Sequence, residues 1–308
     1  NMTRQIPLYP AIIRALKEGK RMMVNIENSK IDKIEYIGKT VLQHGRNNSR
    51  VYLMKLDPDS DKKNVIDYID RLCVENRYGK SFAKIRSADY PLFFLAGYRL
   101  EAYIPSFFRN GDDCIFACKY YDSERSVFIE TEAGEAVAAL LSGGKTPAGR
   151  AGKPGGFEIR KADKSDAAPL ADFYGIQFPN YPFPLSSAQY IAGTMNANVD
   201  YMIITDKGII TAAASAEKDL DELNAEMTDF AVSPEYRGYG LAGKLMNALE
   251  AYLKEGPVKT LYTIARLNST AMNAVFKSSN YKYSGTLISN TNISTGIESM
   301  NVWYKHLS

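Results

Sequence analysis

The sequence predicts an α/β protein built in two parts, each on a mixed sheet. Three stretches carry that reading. Met227 to Leu253 runs as a strand (Met227 to Val232), a connector (Ser233 to Tyr236), a glycine loop (Arg237 to Ala242) and a helix. A similar alternation of strand and helix occupies Val51 to Tyr120. Between the two, residues 142–156 hold six glycines, two prolines and three basic residues, too little apolar surface to order themselves, and so read as a linker.

Length and composition set the limits. A chain of 308 residues exceeds the ~100–200 usual for one domain. The expected division is an appendage over residues 1–30, an α/β domain over 31–141, the linker over 142–156 and a second domain over 157–308. In the appendage, Ile12, Ile13, Leu16, Met22 and Met23 lie among lysines and arginines. They suit an amphipathic segment packed on the body or, alternatively, a basic helix on a membrane surface. No apolar run approaches the ~18 residues of a transmembrane helix and no secretory core is visible, so a cytoplasmic protein without membrane partners is expected. A net charge of +3 is too small to argue for nucleic acid. Cys114 and Cys118 share a strand-like run that would set them about 13 Å apart, beyond the ~7 Å reach of a disulfide. With Cys73 and only His44 and His306 besides, reduced thiols and no metal site are expected.

In the first half, Val51 to Leu56 reads as a strand ended by Asp57-Pro58-Asp59. Val65, Ile66, Ile69, Leu72 and Cys73 recur three and four apart, predicting a helix from Lys62 to Tyr78 with Gly79 as its stop. Ser81 to Arg86, Leu100 to Ile104 and Cys114 to Tyr120 read as strands, and Asp89 to Ala96 as a short helix. Glu132 and Glu135 ahead of Val137, Ala138, Leu140 and Leu141 predict a helix from Thr131 to Leu141.

In the second half, Phe157 to Arg160 restarts the fold as a strand. Asp163, three residues before Asp166, predicts the cap of a helix running to about Tyr174. Three prolines within Phe178 to Pro184 prevent helix or central strand. Tyr181 and Phe183 therefore lie either on a surface loop or on one wall of a substrate site. Tyr201 to Thr205 and Ile209 to Ala216 form a hairpin about Asp206-Lys207-Gly208, and Asn224 to Val232 follows as the next strand. Leu241, Leu245, Met246, Leu249 and Leu253 share one helix face, stopped by Gly256-Pro257. Thr260 to Ala265 is a strand, Asn268-Ser269 opens a helix, and Tyr283 to Ile288 and Ser299 to Tyr304 are the last strands.

The glycine loop carries the chemistry. Glycines opening straight into a helix present backbone N–H groups at the positive end of its dipole, a site for anions and usually for phosphate. Gly238 to Gly243 fits a dinucleotide fingerprint, but Ser233 to Arg237 separate it from the strand end. Gly238 to Lys244 fits the start of a nucleotide-hydrolysing loop, but Leu245 replaces the hydroxyl that holds magnesium. The third fit is R-x-x-G-x-A, Arg237 through Gly240 to Ala242. An ordinary loop ahead of a core helix remains open beside these.

The third pattern resembles the acyl-CoA loop of the GNAT superfamily of N-acetyltransferases. Asn268 in N-x-x-A and Asn280-Tyr281, in place of the usual Gly-Phe, fall where that fold has them. Glu226 to Ala231, Tyr262 to Arg266, Asn290 to Ile293 and Glu298 to Tyr304 are similar to the β-lysine N-epsilon-acetyltransferase family, as are Tyr52 to Leu56 and Gly97 to Pro105. The resemblance spans about residues 31 to 308. It implies a GNAT fold in the second half; the first half repeats the same order of strands and helices, so it is expected to be a smaller, degenerate relative of the second. The first half has acidic Asp57 to Asp61 where the second has glycines, so it should not bind CoA. The resemblance further implies acetyl transfer from acetyl-CoA to the terminal amine of β-lysine. The product is a compatible solute, so the role is osmoadaptation, with a lysine 2,3-aminomutase supplying the substrate. A homodimer is left open.

Direct transfer needs a neutral amine, and a lysine-type ammonium has a pKa near 10.4, so a base must take its proton. By resemblance Glu226 is that base, with a solvent-facing or ion-paired strand glutamate as the alternative. Asp229, three residues on, faces the other way unless a bulge intervenes, and stays in reserve. Phe230 and Ala231 would supply N–H groups to the oxyanion, and Val232 would pair the pantetheine arm. Arg237, Gly238, Tyr239, Gly240, Leu241, Ala242 and Asn268 complete the cofactor set. Phe276 holds the position where many GNAT enzymes carry an acidic tyrosine, so either Tyr281 protonates the thiolate or it leaves unaided. Glu217, Glu298 and Arg266 are the guesses for substrate charges, with Tyr181 and Phe183 along its chain. Beside a small-molecule acetyltransferase stand a protein-lysine or polyamine acetyltransferase and a non-catalytic acyl-CoA sensor.

Overall fold

The computed structural model describes residues 23–24, 32–144, 156–179, 181–293 and 296–307. In chain order the elements begin with strands β1 (Met23–Val24), β2 (Lys33–Ile37), β3 (Thr40–Gly45) and β4 (Arg50–Lys55). Helix α1 (Lys62–Asn76), β5 (Lys80–Arg86), helix α2 (Tyr90–Leu95), β6 (Arg99–Ile104), β7 (Cys114–Tyr120) and helix α3 (Thr131–Leu141) follow. Then come β8 (Phe157–Lys161), α4 (Ala167–Gln177), α5 (Ala188–Met195), β9 (Val199–Asp206), β10 (Ile209–Asp219) and β11 (Asn224–Val232). The chain closes with α6 (Leu241–Lys254), β12 (Thr260–Arg266), α7 (Thr270–Ser278), β13 (Lys282–Ile293) and β14 (Gly296–His306). The appendage reading falls mostly outside the described residues; Met23–Val24 within it pair with β2. So does the linker reading, for residues 145–155.

Two compact units result. The first ends at Ile129 and takes in Ser284–Met300; the second runs Glu130–Tyr283 and resumes at Asn301. These bounds differ from the sequence-based division in two places. Helix α3 goes with the second unit because Leu140 sits in that unit's core. The hairpin segment goes with the first because buried cations of that unit grip its backbone. Arg50 donates to the Asn290 carbonyl and to Thr291 Oγ1, Arg125 to the Ser289 carbonyl and Lys80 to the Ile288 carbonyl.

In the first unit β2, β3 and β4 form an antiparallel meander, α1 carries the chain to β5 parallel to β4, and β7 lies between β5 and β6. The apolar face of α1 packs on Leu42, Val51, Leu53, Ala83 and Ile85. Asp61 caps its first turn by accepting from the Asn64 N–H, and Arg77, at φ 57, ends it two residues ahead of Gly79. The sequence reading passed over β2 and β3, where polar Lys33, Glu35, Gln43 and His44 obscure the alternation. Glu35 and His44 are paired and buried there, Nε2 to Oε2 at 3.0 Å.

In the second unit β8 to β11 are antiparallel, α6 crosses to β12 parallel to β11, and β14 follows β12. Asp163 and Asp166 form a reciprocal capping box ahead of α4. Helix α5, unanticipated, is capped by Ser187. The chain traces one path twice: strands β3, β4, β5, β6 and β7 lie in the order 3-4-5-7-6, and β10 to β14 in the order 10-11-12-14-13.

Candidate active site

The site grows from an irregularity in β11. Ser215 of β10 pairs with Thr228 and Ala213 with Ala231, so Ala214 alone faces Asp229 and Phe230. Asp229 takes φ 55, the left-handed conformation of a bulged residue. Side-chain alternation therefore slips by one. Ala225 and Met227 lie in the core beneath α6, and after the bulge Phe230 and Val232 pack there too. Ala231 lies in the other core, with α4 and α5. Glu226, which alternation would have set opposite to Asp229, shares its face.

That face is lined with tyrosines. Tyr181 donates to Asp229 Oδ1 at 2.6 Å and Ser215 Oγ donates to Oδ2. Tyr201 is hydrogen-bonded to Thr194 at 2.9 Å. Tyr174, 0% exposed, has a hydroxyl without a partner. Its ring stacks on Phe178, which stacks on Tyr181 at 4.7 Å between centroids. Burial pushes the Asp229 carboxyl up, and the bonds from Ser215, Tyr181 and Thr228 only partly offset this. Burial also drives Tyr181 well above the usual phenol range, with Asp229 and Glu226 among the charges it senses. Glu217 stands directly across from Glu226, and Tyr262 of β12 pairs with Glu226 on the other side. Leu261 and Ala265 point into the α6 core, so alternation sets Tyr262 and Arg266 on the Glu226 face. Sequence reasoning missed Tyr174, Thr194, Tyr201 and Ser215. Their one signal was a serine and a tyrosine in strands otherwise fit for full burial.

A slot opens beside the bulge. Among the described residues the β11–β12 ladder covers Asn224↔Thr260, Ala225↔Leu261 and Glu226↔Tyr262 and stops, although β11 runs on to Val232 and β12 to Arg266. The β12-side edge of β11 from Met227 to Val232 is thus outside the ladder. Phe276 walls it, 5.8 Å from Phe230 edge to face. At the end of β11, Gly238 (φ 87) and Gly240 (φ 73) hold left-handed conformations, and Gly240 starts α6 with no side-chain cap. A Cβ at Gly240 or Gly243 would meet nothing within 4 Å, so the surface over these amides is open. Leu241 is buried in the core, Tyr239 packs against it, and Arg237 returns its Nε to the Val232 carbonyl at 3.2 Å. Ala242 is partly exposed in the first turn of α6.

Several expected site residues lie elsewhere. Tyr281 is buried in the α6 core against Phe276, with Glu250 beside its hydroxyl and Lys305 over its ring. The sheet separates it from Glu226. Asn268 is exposed at the start of α7 and donates to Glu130. Glu298 is buried on the part of β14 that belongs to the first unit. Phe183 is not displaced in this way and lies half-buried in the same loop as Tyr181.

The acetyltransferase (GNAT) family pattern matches residues 170–281, which include the bulge, the slot and the glycine loop. The chain is 37% identical to a β-lysine N(6)-acetyltransferase of Methanococcus maripaludis, over 89% of this chain and 99% of that one. It belongs to the GNAT acetyltransferase family. A second relative, the N-acetyltransferase YodP of Bacillus subtilis, is 33% identical over 87% of this chain and 96% of its own. A β-lysine N(6)-acetyltransferase of Methanosarcina mazei is 39% identical over 50% of this chain and 57% of its own.

As a GNAT enzyme the chain is an N-acetyltransferase using acetyl-CoA. The residues present fit that cosubstrate. Uncapped amides from Gly238 to Gly243 suit a diphosphate, and the β11 edge suits an extended arm carrying amide groups. The unit-one counterpart does not fit: Asp57 Oδ1 accepts from Asp59 N and Asp61 from Asn64 N, so its own carboxylates fill the helix start. Among the described residues no group of three or more His, Cys, Asp and Glu could hold a metal, and no helix is long and apolar enough to cross a membrane.

Proposed function

We propose that the chain acetylates the terminal amine of β-lysine to give N-epsilon-acetyl-β-lysine, a compatible solute made in the cytoplasm during osmoadaptation. The observation that carries this reading is the single sheet face holding Glu226, Asp229 and Arg266 beside the unladdered edge of β11. β-Lysine carries two amines and one carboxylate, and this face offers carboxylates and a guanidinium in turn. The names of the Methanococcus and Methanosarcina relatives support the same substrate.

Acetyl-CoA supplies the acetyl group as a thioester. Glu226 takes the ammonium proton, directly or through a water, so that the amine lone pair is available. In this reading N–H groups of Phe230 and Ala231, on the part of β11 beyond its ladder with β12, serve as donors to the oxyanion. Arg266 receives the substrate carboxylate, and Tyr181 and Phe183 flank its methylenes. A tyrosine acid has no place in this scheme, since Tyr281 lies behind the sheet and Phe276 has no hydroxyl; a thiol near pKa 8.5 leaves unaided. The reaction class that supplies the substrate is a lysine 2,3-aminomutase, and a homodimer is compatible with the reading. The test is acetyl-CoA consumption with β-lysine, lysine, polyamines and lysine peptides. Turnover with peptides but not with free β-lysine would replace this reading, and none with any amine would remove it.

A further inference from the structure

Asp229 has more structure around it than a reserve base requires. Its carboxylate is bonded to three hydroxyls, those of Tyr181, Ser215 and Thr228, and among the described residues to no cation. Withdrawing an ionised carboxylate from water without a cationic partner costs several kcal/mol in general. A fold tolerates that cost where a ligand later brings the missing charge. A second, independent sign is the Tyr174 hydroxyl, fully buried and, among the described residues, unpartnered, with Asp229 foremost among the charges that act on it. A buried hydroxyl without a partner is rare. Aromatic faces from Tyr174, Phe178 and Tyr181 stack alongside, and such faces attract cations.

We propose that Asp229 is the seat of the acceptor's second ammonium group, the one that is not acetylated. Tyr181 and Tyr174 complete its shell, and the pair Glu226 and Asp229 measures the separation of two amines. This rests on the reading of the chain as a β-lysine acetyltransferase and names what selects the acceptor. Three residues of regular strand advance about 10 Å, and the bulge at Asp229 makes the advance from Glu226 somewhat shorter. An extended four-carbon diamine holds its nitrogens about 6 Å apart, and an ion-paired oxygen stands about 2.8 Å beyond each. Two carboxylates bridged by such a molecule therefore sit about 10–12 Å apart. β-Lysine has this four-carbon separation, whereas α-lysine has five carbons between its amines.

The experiment compares β-lysine with 6-aminohexanoate, which keeps the chain, the carboxylate and the reacting amine but lacks the second one. Asp229→Asn is expected to raise KM for β-lysine by about 30-fold or more, the scale of a lost charged hydrogen bond. Its kcat is expected to hold within a few-fold. On 6-aminohexanoate the same variant should leave kcat/KM within a few-fold of the parent. Tyr174→Phe removes only an unpartnered hydroxyl, so it folds as the parent does, and it should raise KM for β-lysine several-fold while sparing 6-aminohexanoate. Equal losses on both acceptors, in either variant, would overturn the proposal and leave Asp229 as a base or a structural group. That outcome is distinct from a parent enzyme that acetylates no amine, which would remove the acetyltransferase reading itself.

Discussion

The indole Nε1 of Trp303 donates to Oδ1 of Asn273 at 2.9 Å, deep in the second unit. Asn301 donates to the same oxygen. The Asn273 amide nitrogen in turn donates to the carbonyls of Arg266, Leu267 and Ser269. One side chain, 0% exposed, thereby fixes the end of β12, the start of α7 and the middle of β14. It also fixes the helix that carries Phe276.

Replacing Asn273 by Ala would leave the indole N–H without its acceptor and the Leu267 carbonyl without its side-chain donor, while the Arg266 and Ser269 carbonyls keep backbone N–H partners. At about 1–3 kcal/mol for each buried group left unsatisfied, with partial relaxation, the loss should be about 3 kcal/mol or more. Urea unfolding followed by Trp303 fluorescence would measure it. A loss below about 1 kcal/mol would show that water replaces the network.

Glu226→Gln should lower kcat by about 10²–10³, the usual contribution of a positioned base. The defect should shrink as pH rises toward the amine's own pKa near 10.4, where the substrate arrives already neutral. Rate profiles of parent and variant between pH 7 and 10 test this. Parallel profiles would assign Glu226 to a structural ion pair.

Gly240 holds φ 73 at the first amide of α6. Valine there costs about 1–2 kcal/mol in that conformation, and relief of the strain would turn the amide away from a diphosphate. KM for acetyl-CoA should rise about tenfold, with KM for the amine unchanged. An unaltered KM for acetyl-CoA would place the diphosphate elsewhere.

The Glu35–His44 pair makes the first unit sensitive to acid. Burial holds the His44 imidazole below its usual pKa, against the opposing pull of Glu35. Burial would raise Glu35, but hydrogen bonds from Tyr68 and His44 outweigh it and hold the carboxyl below its usual range. For both groups the folded state binds protons less readily than the unfolded chain. Stability is therefore fully present above pH 6.5 and falls as pH drops, first through His44 and then through Glu35. Urea midpoints between pH 7.5 and 4.5 should decline in the parent and decline less in His44→Asn. Identical slopes would exclude the pair as the cause.

Much of this was legible in the sequence because it depends on local rules. The face of α1, the cap at Asp163, the hairpin about Gly208 and the glycine loop into α6 follow from periodicity, capping and turn chemistry within a few residues. Glu226 was named by resemblance to a known family, on a strand that local rules had already set. Helix α5 and the β2–β3 hairpin were not legible. Their polar residues make sense only with partners far along the chain, as Glu35 does with His44 and Tyr68.

The sequence by itself determined most of the elements, the strand carrying Glu226 and the loop suited to a diphosphate among them, since each of these is set by neighbours within one or two turns. The tertiary structure alone decided which side chains meet. A single left-handed residue in β11 moved Asp229 onto the face of Glu226, and packing across the sheet brought Tyr174 and Tyr181 to it while leaving Tyr281 behind. Alternation along a strand is a local rule; the bulge that breaks it is fixed by the register of two strands, which no short stretch of sequence contains.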